Sequence, residues 1–112
     1  MHDGGIIAAN YEDVVVRIQL FDGAEPILRS TATVLHHVKN SAKLLRELNL
    51  LNITRVGTRV WWDNGMVVVG VDTLCEGSKS LTPILDSLVG EARYLGGALG
   101  PMFGGVDPQV AA

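Results

Sequence analysis

One cysteine, Cys75, stands in the 112 residues. No disulfide can close within such a chain, which excludes a disulfide-stapled secreted scaffold. Basic residues are few: nine Lys and Arg against twelve Asp and Glu, for a net charge of −3. They are scattered from Arg17 to Arg93 without a polybasic run. A dedicated nucleic-acid binder carries a basic stripe and a membrane-surface binder a basic cluster, so neither partner is expected. Long apolar runs are also missing: no segment approaches the roughly 20 apolar residues of a spanning helix. The opening MHDGGIIAANYED is acidic where a secretion signal needs a basic start, and its apolar run is short. The expectation is a cytoplasmically made protein, with incorporation into a larger particle left open.

What the chain does have is enough apolar material, 47%, for the core of one domain of this length. DVVVRIQLF, residues 13 to 21, alternates: Val14, Val16, Ile18 and Leu20 on one face, Val15, Arg17, Gln19 and Phe21 on the other. That pattern predicts a strand buried on one side. Residues 27 to 38 read two ways. The helical periodicity is the better one, but Thr31, Thr33 and Val34 favour a strand. Residues 40 to 51 predict a helix capped by Asn40 or Ser41, with Leu44, Leu45, Leu48 and Leu51 on its apolar face. A second helix is predicted from Thr82, the expected cap, with Pro83 in its first turn. Leu81, Leu85, Leu88, Ala92 and Leu95 share its face, and Gly96-Gly97 is its expected end.

Between the helices lies RVWWDNGMVVVGVD, residues 59 to 72. Asn64-Gly65 is the preferred dipeptide for a type I′ hairpin turn, because both positions need positive φ. That turn pairs Trp62 with Val67 and Trp61 with Val68. Thr58, Val60, Trp62, Val67, Val69 and Val71 then face the core, and Arg59, Trp61, Asp63, Met66, Val68 and Gly70 face away. A faint echo links RIQLFDG at 17 with RVWWDNG at 59, each followed by a capped helix, and it favours the strand reading of 27 to 35. The fold class is α+β: a small antiparallel sheet of three or four strands with two helices on one face, in ββαββα or βαββα order. Residues 1 to 97 make one domain, and 98 to 112, rich in Gly and Pro, make a C-terminal arm.

Trp61, Met66 and Val68 on a face with no helix left to cover it, rimmed by Arg59 and Asp63 and joined by Phe21, predict a contact patch. Met102 and Phe103 are expected to act as arm anchors in a neighbouring chain. Chemistry is sparse by comparison. Adjacent His36 and His37 cannot readily share a metal, and no ligand spacing supports them. They read as surface histidines, and no metal or cofactor is expected. Cys75 in DTLCEGSKS, with Asp72, would need His36 or His37 as its base, and nothing in the sequence unites them. The glycine-rich tail lacks the signature of a phosphate loop. The leading expectation is therefore a non-enzymatic assembly protein, a homo-oligomer or a component of a larger shell or virion. The rival is a small enzyme or ligand-binding domain with a pocket near residues 72 to 80.

Overall fold

The computed structural model describes residues 6–21, 23–54, 57–74 and 81–105. Seven elements follow in order: β1 (Ile6–Tyr11), β2 (Val14–Phe21), β3 (Ile27–Leu35), α1 (Ala42–Thr54), β4 (Arg59–Asp63), β5 (Met66–Leu74) and α2 (Thr82–Phe103). The strands form one antiparallel sheet in the order β1-β2-β3-β5-β4. This corrects the expected three or four strands to five, and the order to βββαββα. The additional strand is β1, whose IIAANY has neither alternation nor charge to mark it. A tight turn through Glu12 and Asp13, both at positive φ, folds it back on β2.

Residues 27 to 35 are strand, so the helical reading is corrected. The misleading period has a local cause. The register slips between Thr33 and Leu35, and this bulge lets consecutive Val34 and Leu35 both bury. Two apolar neighbours in a row imitate a helix face. Hairpins β2–β3 and β4–β5, each followed by a helix, meet through β3 and β5, in keeping with the twofold echo in the sequence.

Both helices contribute to one core. Leu44 and Leu48 of α1, and Leu88, Val89, Ala92, Leu95 and Leu99 of α2, join Val14, Val16, Ala32, Val60, Val67 and Val69 of the sheet. The cap of α1 is as expected: Ser41 Oγ accepts the Leu44 N–H at 3.1 Å. Its apolar face is the expected one at Leu44, Leu48 and Leu51, but not at Leu45. Leu45 is half exposed, and Leu50 and Ile53 are more so.

Helix α2 departs at both ends. Its N-cap position is Leu81, with no side-chain cap bond, rather than Thr82. It also runs through Gly96-Gly97 to Phe103, because Leu95 and Leu99 on one face both bury. The helix stops at the next glycine pair: Gly104 takes φ 68 and donates its N–H to Gly100 O at 2.8 Å. Residues 98 to 103, expected in an arm, are therefore helical. Met102 is exposed, while Phe103 packs against the core. Residues 106 to 112 lie outside the described range.

Candidate functional site

The hairpin register is the one that the Asn64-Gly65 turn predicts: Trp61 pairs with Val68, Trp62 with Val67 and Asp63 with Met66. Asn64 and Gly65 sit at φ 48 and 84. The two tryptophans part as alternation requires. Trp62 turns to the helices, packs against the core and donates Nε1–H to Val38 O at 2.8 Å. Trp61 turns to the opposite face, which no described helix covers.

On that open face the side chains fall into rows across the strands. Phe21, Ile27 and Leu74 make an apolar row, with Ile27 at 37% and Leu74 at 54% exposure. Beside it runs a charged row. Arg29 binds Asp72 through both ends of its fork, Nε to Oδ1 at 2.7 Å and Nη2 to Oδ2 at 3.0 Å. Arg59 reaches the same carboxylate from β4, Nη2 to Oδ2 at 3.2 Å. The Arg29 guanidinium also stacks 5.0 Å from the Phe21 ring centroid. The hydrogen bonds from Arg29 hold the Asp72 carboxyl below its ordinary range, with Arg59 adding to the effect, and partial burial opposes them.

Trp61 does not stand free in this face. Its indole lies over Gly70 of β5: a β-carbon placed on Gly70 would be 2.7 Å from Trp61 Cη2 and 3.0 Å from Thr31 Cγ2. Only glycine leaves room for the ring there. The arrangement half-buries Trp61, while its partner across the hairpin, Val68, is buried. This modifies the expected patch. Trp61 forms a platform rather than a protrusion, and the exposed apolar atoms are displaced toward Ile27 and Leu74, which the sequence reading did not single out. Between Trp61 and the arginines is a cleft of about 300 Å³, lined by Arg29, Asn52, Arg59, Val60 and Trp61.

The other candidate residues do not assemble. Asp72 is engaged with arginines on the open face. His36 and His37 lie seven and eight residues beyond Arg29, its partner on β3, so His36 is roughly 20 Å away at strand rise. The histidine rings are 6.1 Å apart, His36 half-buried and His37 exposed at φ 57. Cys75, Glu76, Ser78 and Ser80 lie outside the described residues. A hollow of about 310 Å³ lies on the helix side. It is lined by Gly57, Thr58, Val71, Pro83, Ile84, Ser87 and Leu88, none of them titratable. Among the described residues no group of three His, Cys, Asp or Glu could hold a metal ion, and no helix is long and apolar enough to cross a membrane.

A five-stranded antiparallel sheet with helices on one face and a patterned second face describes a small α+β domain. Residues 1–84 match the family model of YbjN, described as "Putative bacterial sensory transduction regulator". The match takes in 84 of the 112 residues, and the chain belongs to this family. It covers all five strands and α1, and ends just inside α2. No curated protein matches the chain.

Proposed function

We propose that this chain is a regulatory domain that works by contact with another protein, and that its contact surface is the open face of the sheet. The family description supports a regulator. The observation that carries the surface is the order of its rows. An exposed apolar pair, Ile27 and Leu74, adjoins an Arg29–Asp72–Arg59 network and a tryptophan platform. Protein contact sites combine an apolar centre, aromatic and arginine anchors and a charged rim in this way. Assembly into a shell or virion gains no support from the family. The expected homo-oligomeric contact through this face is one form of the proposal, and a cytoplasmic regulator bound to a different protein is the other.

Site-specific photo-crosslinking in the cells that make the protein tests the surface. A crosslinker at Leu74 or Arg59 should capture a discrete partner, and Ile27→Glu should abolish the adduct without lowering the melting temperature. Crosslinks formed only from the opposite side, for instance from Tyr94 on α2, would refute the assignment.

A further inference from the structure

The sheet ends in two edges, and the chain treats them differently. At β4 the edge is clamped at one residue. Asn52 of α1 lays its side-chain amide beside Val60, donating Nδ2–H to Val60 O at 2.9 Å and accepting Val60 N–H on Oδ1 at 2.8 Å. Both backbone groups of Val60, the second residue of β4, are thereby engaged, as a neighbouring strand would engage them. The strand is only five residues long and carries Arg59 and Asp63 at its ends. Shortness, charge and coverage are the devices that keep an edge from recruiting another strand.

At β1 charge is missing and, among the described residues, so is coverage. Ile6–Tyr11 has no charge, proline or glycine. Among the described residues it pairs on one side only, with β2. Ile6 and Ile7, on opposite faces of the strand, are 60% and 68% exposed. The strand is nevertheless held in place from its far end. Tyr11 donates its hydroxyl to Asp86 of α2 at 2.7 Å, and Arg93 of α2 donates to the carbonyl of Glu12 in the turn. The result is a positioned row of backbone donors and acceptors facing outward.

We propose that β1 is a self-pairing edge. The Ile6–Tyr11 strand of one copy pairs antiparallel with the same strand of a second copy across a twofold axis, and the Asn52 clamp at the opposite edge ends the assembly at two. Three features select a second copy as the occupant. Twofold antiparallel pairing satisfies both open edges at once, whereas a foreign strand would present a new edge of its own. The side chains are self-complementary. With Ala8 opposite Ala8 of the second copy, Ile6 lies across from Asn10 and Ile7 from Ala9, large against small on each face, and no like charges meet. Finally, the pairing closes. Head-to-tail growth would need β1 of one copy to add to β4 of the next, where Asn52 already occupies Val60. In this register all four helices share one side of a ten-stranded sheet, and the two open faces become continuous.

Sedimentation of the full chain across a wide concentration range provides the test. The expected result is a dimer for wild type and a monomer for Ile6→Lys/Ile7→Lys, with the same circular dichroism and melting temperature at low concentration, because both side chains are exposed in one copy. Hydrogen exchange should show β1 amides that gain protection as concentration rises. Asn52→Ala should add species larger than the dimer, and should not do so when combined with the two lysines. A wild-type monomer at every concentration would overturn the proposal, as would a dimer untouched by the lysines. So would concentration-independent protection of β1 in a monomer, which would mean that other residues of the same chain occupy the edge. An Asn52→Ala variant that folds and remains strictly dimeric would overturn the role of the clamp.

Discussion

The indole of Trp61 lies across Gly70, on the neighbouring strand, so closely that a β-carbon there would fall 2.7 Å from Cη2. Gly70→Ala should therefore lift the ring from the sheet or strain it, at a cost of about 1–3 kcal/mol, the usual range for overpacking. The chain has two tryptophans, so the measurement is made with Trp62→Phe as background. Emission from Trp61 should shift to the red when Gly70 becomes Ala. Trp61→Val should restore part of the lost stability, because the two sites share one space. An unchanged emission maximum together with an unchanged melting temperature would show that the ring does not sit on Gly70.

Trp62 tests the other side of the same hairpin. It packs against the core and donates to Val38 O. Trp62→Ala should cost about 3–5 kcal/mol, as large-to-small core changes do. Trp62→Phe keeps most of the ring but leaves the Val38 carbonyl without its donor, for about 1–3 kcal/mol. Denaturant unfolding of the two variants separates packing from hydrogen bonding. A Trp62→Phe variant as stable as wild type would deny the bond any role.

Asp72 links the open face to pH. Arg29, and less strongly Arg59, keep its folded pKa below the unfolded value. A depressed carboxyl contributes stability that is complete above the unfolded value of roughly 4 and is lost as pH falls through the folded value. The Arg29 and Asp72 side chains are 39% and 31% exposed, so screening limits the contribution to under about 1 kcal/mol. Asp72→Asn should lower the denaturant midpoint slightly at neutral pH and flatten its decline in acid. Parallel acid profiles for the variant and wild type would rule this contribution out.

The end of α2 belongs to the core through Leu99, which is buried beside the sheet. Leu99→Ala should cost about 2–5 kcal/mol, and truncation at Gly97 should cost at least as much. Thermal unfolding of both checks this. A truncated chain as stable as the whole one would return residues 98 to 103 to the status of a dispensable arm.

Ser30 is buried on the helix side of β3, and its hydroxyl has no partner among the described residues. Ser30→Ala removes an unsatisfied polar atom without opening a large cavity, so stability should hold or rise by about 1 kcal/mol. A loss of more than that would reveal a bond that the hydroxyl makes in solution.

Local chemistry alone determined much of this protein. Asn64-Gly65 set the β4–β5 register, because two consecutive positive φ values admit few residues, and alternation then decided which tryptophan faced the core. Ser41 marked the start of α1. Other features depended on partners distant in the chain. Strand β1 carries almost no periodic signal of its own and exists through pairing with β2. Residues 27 to 35 became strand because β2 and β5 flank them, and the bulge at Val34 hid that from a reading of period. The stop of α2 moved from one glycine pair to the next because burial of Leu99 against the sheet outweighs the local cost of Gly96 and Gly97. The open face was legible in outline through Arg59, Trp61 and Phe21. Its working geometry, with Trp61 folded onto Gly70, Asp72 held between two arginines and Asn52 clamping one edge, required residues 8 to 43 positions apart to meet. Side-chain contacts across a sheet follow from strand order, and strand order is a property of the whole packed core rather than of any segment.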